Sequence, residues 1–131
     1  MTDSIAIQLQ QASEGLIFGS ETDAPFEVIH WQTQGELTPA KLLQLTNHPP
    51  DALVEIVSVD EFFDTSTAEE DWHDKEERET AERFQNLVSI LKQNLSQSQV
   101  YRVGNTNIDA YIVGVTPGGE LAGLSTKLVE T

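Results

Sequence analysis

Between Asp60 and Glu82 the chain carries its densest charge, with Glu69, Glu70, Asp71, Asp74, Glu76, Glu77 and Glu79 opposed only by Lys75 and Arg78. Residues four apart share a helix face. His73 with Glu69, Asp74 or Glu77 therefore offers ligands for a hard divalent cation, and a carboxylate metal-dependent hydrolase is one reading. The spacing is not the H-E-x-x-H zinc signature, and the stretch lacks the glycine and ligand order of an EF-hand loop. No G-x-S-x-G elbow, Walker loop or G-x-G-x-x-G fingerprint occurs anywhere in the chain. Cysteine is absent, which removes thiol nucleophiles, disulfides and thiolate metal sites. The alternative for the same stretch is a solvated helix face supported by pairs such as Asp71–Lys75 and Asp74–Arg78. Trp72 fits neither reading. An indole between Asp71 and His73 has no periodic apolar neighbours, and serves either as an interface anchor or as a ring folded back onto the core. His30, in a run of strand character, and His48, before Pro49-Pro50, read as structural.

The elements that must position these groups are legible from periodicity. Ile5, Leu9, Ala12 and Leu16 mark an amphipathic helix over about Asp3–Glu14, with Gly15 as its stop. Gly19 to Pro25 reads as a surface loop, and Phe26–Trp31 alternates as a strand that is partly apolar on both faces. Thr38-Pro39 starts a short helix through Leu42, Leu43 and Leu45, ended by His48-Pro49-Pro50. Ala52–Val59 is β-branched and reads as a strand, and Asp60-Glu61-Phe62-Phe63 as one helical turn with both rings on the core. Ser66 and Thr67 stand three residues before Glu69 and Glu70, the capping-box spacing of a helix start. Ala81, Phe84, Leu87, Val88, Leu91 and Leu95 form one apolar stripe, which predicts a helix over about Glu77–Leu95. Ser96–Gln99 reads as a polar connector. Val100–Val103 and Ile108–Val115 then make a hairpin around Gly-Asn-Thr-Asn, and Leu121–Val129 returns after Pro117-Gly118-Gly119. The fold class is α+β, an antiparallel sheet flanked by helices.

With 131 residues the chain matches one domain, large enough to bury roughly two-thirds of its unfolded surface. No apolar run approaches the length that spans a bilayer, and the polar, acidic start MTDSIAIQLQQ does not resemble a secretory signal. The expectation is a cytoplasmic protein with no membrane association. Lys and Arg number 7 against 22 Asp and Glu, for a net charge of -15. That charge repels nucleic acid and draws basic surfaces, so direct nucleic-acid binding is not expected. It also opposes self-association, so the free protein is expected to be a monomer.

The fragments SEGLIFGSE, PFEV, DEFF, EEDW, VYRVG, IDAYIVG, TPGGELAG and LSTKLVET, in this order, resemble the nuclease A inhibitor family. These are small acidic cyanobacterial proteins that block a sugar-non-specific nuclease. The similarity covers nearly the whole chain and is least from Gln32 to Pro50. It implies a three-layer α-β-α sandwich, no catalysis and no cofactor. The implied partner is the basic active-site surface of a ββα-metal nuclease, bound one-to-one. The family's partner-binding residues, a loop glutamate, an Asp-Trp pair and the terminal threonine, match Glu21, Asp71, Trp72 and Thr131. The resemblance implies that Thr131 ligates the nuclease's Mg2+ with its hydroxyl and α-carboxylate. It also implies that Glu21 faces the metal's surroundings or a base, that Asp71 pairs with a base, and that Trp72 buries its ring. Two other classes stand beside this: an acidic binding module that inhibits nothing, and the metal-dependent hydrolase.

Overall fold

The computed structural model describes residues 3–19, 23–34, 37–67 and 74–129. Its centre is a five-stranded sheet in the order β3-β7-β6-β5-β4, with every neighbouring pair antiparallel. The strands are β3 (Glu27–Gln34), β4 (Val54–Val57), β5 (Ser96–Val103), β6 (Asn107–Val115) and β7 (Glu120–Val129). A separate hairpin pairs β1 (Ile17–Gly19) with β2 (Asp23–Pro25). The helices are α1 (Asp3–Ser13), α2 (Pro39–Leu45), α3 (Val59–Phe62), α4 (Asp64–Thr67) and α5 (Lys75–Asn94). This is the expected α+β class with a wholly antiparallel main sheet. No helix among the described residues is long and apolar enough to cross a membrane.

Alternation along the strands divides the core in two, because successive side chains leave opposite faces of a sheet. On one face Val100, Ile108, Ala110, Ile112, Ala122 and Leu124 pack with Leu9 of α1, Leu16 just after it, the α5 stripe of Phe84, Leu87 and Leu91, and Leu95 at its C-cap. On the other, Tyr101, Val103, Val113 and Leu121 meet Leu42 and Leu43 of α2, with Trp31 and Tyr111 against that cluster. Helices thus cover both faces, giving the three layers. One layer is nearly complete; the other rests on a seven-residue helix.

Local chemistry explains the boundaries. Gly15, at φ +77, turns the chain after α1. The Thr38 hydroxyl accepts from the Lys41 N–H (3.2 Å) with Pro39 at the first helical position, as expected. Four sequence expectations need correction. Ala52–Val59 is strand only over Val54–Val57, because Ser58 Oγ accepts from the Glu61 N–H (3.1 Å) and caps α3, taking Val59 into the helix. Neither Ser66 nor Thr67 begins a helix; they are the last two residues of α4, and the Thr67 hydroxyl donates backwards to the Phe63 carbonyl (3.0 Å). Ser96–Gln99 is not a connector but the start of β5. Ser96 pairs with Val115, and a register shift before Gln99, with Gln97 at φ +53, absorbs one irregularity. The stretch Gly19–Pro25 is not all loop, since Gly19 ends β1 and the last three residues form β2, with Gly19 paired to Asp23. The α5 helix starts slightly before Glu77, where Asp74 Oδ1 accepts from the Glu77 N–H at 2.8 Å.

Candidate partner-binding pole

The direction of the elements carries three separate parts of the chain to one end of the sandwich. Helix α5 ends one residue before β5 begins, so the two run antiparallel. At about 1.5 Å per residue the helix is about 30 Å long, close to the span of β5 at about 3.3 Å per residue. The N-terminus of α5 therefore lies at the Val103 end of the sheet. Asn107 pairs with Val129 at that same end. The hairpin of β1 and β2 contacts β7, and Thr126 Oγ1 donates to the Pro25 carbonyl at 3.0 Å. Hence Asp23, Asp74 and Val129, which border residues 20–22, 68–73 and 130–131, are gathered around one pole.

A triangle of rings braces that pole. Phe26, just after β2, lies 6.1 Å from Phe63 and 6.1 Å from Phe84 between centroids, and Phe63 lies 6.0 Å from Phe84. Phe63 follows α3, and Phe84 belongs to the N-terminal half of α5. The cluster thus ties together the supports of two bordering segments. Gln85 Nε2 donates to the Thr67 carbonyl (2.8 Å), and Arg83 donates to the Glu14 carbonyl, which joins α4 and α1 to α5.

The described surface here is acidic. Asp74, Glu76, Glu77 and Glu79 are all exposed at the start of α5, whereas Asp60 pairs with Lys92 near the other end of that helix. Lys75 and Glu79 approach only to 4.0 Å with both side chains in water, a pair that contributes little. Glu76 and Glu77 sit in the first turn of α5, where the helix dipole favours negative charge.

Glu21, Asp71, Trp72 and Thr131 lie outside the described residues, as do Glu69 and His73. Of the hydrolase set, Asp74 and Glu77 are described, and the Asp74 carboxylate is occupied as the helix cap. Among the described residues, no three His, Cys, Asp or Glu side chains gather to hold a metal ion.

Sequence reasoning missed a cleft of about 500 Å³ on the lightly covered face, beside the end of α2. Register places Glu27 and Tyr111 on either side of Ser125, with Asp109 opposite Lys127 and Trp31 opposite Leu121. His48, which reads as structural, holds two of the lining side chains: its Nε2 lies 3.0 Å from the Tyr111 hydroxyl and 3.3 Å from Asp109 Oδ2. Burial, and then the Asp109 carboxylate, raise the Tyr111 phenol above its ordinary value, while Thr46 opposes them. Tyr111 is accordingly neutral at physiological pH. The signal available in the sequence was the spacing of Asp109 and Tyr111, two apart and so on one face of a strand.

A family model described as nuclease A inhibitor-like protein matches residues 3–131. No curated protein matches the chain.

Proposed function

Because the chain belongs to the nuclease A inhibitor-like protein family, we propose that it is a single-domain proteinaceous inhibitor, without catalysis of its own, that binds a nuclease and blocks its active site. The match over residues 3–131 is the observation that carries this reading. The gathering of Asp23, Asp74 and Val129 at one pole supports it, since these border the segments containing Glu21, Asp71–Trp72 and Thr131.

The target is a sugar-non-specific ββα-metal nuclease, met one-to-one in the cytoplasm by a monomer. Such an enzyme needs basic side chains for phosphates and a Mg2+ ion, which takes oxygen ligands. Thr131 supplies them from its hydroxyl and α-carboxylate. Asp71 pairs with a basic side chain and Trp72 provides the desolvated anchor, while Glu21 adds a second carboxylate near the metal. The remaining negative charge steers encounter and raises the association rate.

The test is DNA cleavage by a purified ββα-metal nuclease titrated with the wild-type chain, a variant lacking Thr131 and Trp72→Ala. Stoichiometric inhibition by wild type, strongly weakened in both variants, is expected. No inhibition at any ratio refutes the reading and leaves an acidic binding module.

A further inference from the structure

We propose that the cleft between β3, β6 and the end of α2 is a second docking site, one that takes an arginine or lysine side chain from a basic segment of a protein partner. The proposal goes beyond the inhibitor reading and does not depend on it. It rests on shape, ring chemistry and charge together.

Shape comes from the strand register. The floor is β7, which offers Ser125, a small side chain, toward this face. Glu27 of β3 and Tyr111 of β6 stand one strand to either side. Those two walls are about 10 Å apart at the usual strand spacing, wide enough for an extended side chain. The cleft lies against the face that α2 covers only in part, and Leu45, at the open end of α2, is 37% exposed.

Ring and charge chemistry choose the occupant. Trp31 and Tyr111 both line the space, and aromatic faces attract a guanidinium or ammonium group. Glu27 and Asp109 place two carboxylates along the same walls, against Lys127. The whole chain adds a net charge of -15, which draws cations toward the cleft and repels anions. A second copy of this acidic chain is opposed by the same field.

The experiment is a titration of 15N-labelled full-length protein at low ionic strength with an acetylated, amidated tetra-arginine peptide. The uncharged tetra-citrulline peptide and a tetra-glutamate peptide serve as comparisons. Shift changes are expected to concentrate on Glu27–Trp31, Asp109–Tyr111 and Ser125–Lys127. Two exposed acids are then removed singly: Glu27→Gln in the cleft and Glu76→Gln in the first turn of α5, each changing the net charge by one. Glu27→Gln should weaken binding about threefold more than Glu76→Gln, the scale of losing one solvent-exposed ion pair. Equal weakening by the two variants overturns the proposal, as do shifts centred on α5, since both mark non-specific attraction. Citrulline binding as well as arginine, preferential binding of tetra-glutamate, or no saturable change at millimolar tetra-arginine overturns it as well.

Discussion

Phe63→Ala should remove a large share of the stability of this fold. The ring is fully buried and lies 6.1 Å from Phe26, 5.0 Å from Phe62 and 6.0 Å from Phe84. Truncating a buried phenylalanine costs about 3–5 kcal/mol, combining lost transfer energy with the cavity left behind. Three ring neighbours from different segments cannot all move in to fill that cavity, which places the loss at about 4 kcal/mol. A domain of this size is stable by about 5–15 kcal/mol, so the variant still folds in the cold but melts roughly 15 °C lower. Phe63→Leu keeps most of the volume and should lose less than half as much. Urea unfolding, followed by far-UV circular dichroism and by tryptophan fluorescence, gives both numbers. A loss below about 2 kcal/mol for the alanine variant, or equal losses for alanine and leucine, would refute the bracing role assigned to the ring cluster. A second readout separates bracing from contact. On the proposed inhibitor reading, the alanine variant, folded in the cold, should bind a ββα-metal nuclease more weakly than wild type, because the supports of two bordering segments have lost their common anchor.

Three further outcomes follow from other contacts. Asp74→Ala removes the cap of α5 and should cost about 1 kcal/mol in urea unfolding, whereas Asp74→Asn, which keeps an acceptor, should cost a few tenths. Raising the pH through and above the ordinary tyrosine range should destabilise the protein. The folded Tyr111 phenol holds its proton at a pH where the unfolded phenol has lost it, so stability is full below the unfolded value and falls as pH rises. Tyr111→Phe should show a smaller alkaline loss in melts taken across that range. A Cβ at Gly123 would sit 1.7 Å from the Ile112 carbonyl oxygen, a clash between two strand backbones. Gly123→Ala should therefore destabilise by at least about 3 kcal/mol, and a melt within a few degrees of wild type would contradict the strand spacing described.

Periodicity made the α5 stripe and the hairpin from Val100 to Val115 legible, because the buried sets recur at 3.6 and 2 residues respectively. It failed at Ser96–Gln99, where Ser96, Gln97 and Gln99 are exposed and the backbone pairing of β5 leaves no apolar mark. Asp74 and Glu77 have capping-box spacing too, but Ser66 and Thr67 presented competing start signals upstream. Only Thr67's backward hydrogen bond resolves that competition against Thr67. The cleft was half legible. Asp109 and Tyr111 share a face by spacing, while His48 joins them across 63 positions that no local pattern links. Glu21 and Thr131 carry no local signal at all: a loop carboxylate and a terminal residue become candidates through family resemblance alone.

The place of β7 in the sheet governs when the fold can be completed. Among the described strands it comes last in sequence, yet it is hydrogen-bonded between β3 and β6, and Thr126 reaches back to Pro25 across 101 positions. Until β7 exists, β3 has no neighbour in the main sheet. On a ribosome the preceding elements must wait, unable to close their shared core, and in a refolding experiment the long loop makes β3–β7 pairing a slow, late step. A partly synthesised chain thus lacks both the finished sheet and the pole at Val129, which ties any activity of that pole to completion of the whole fold.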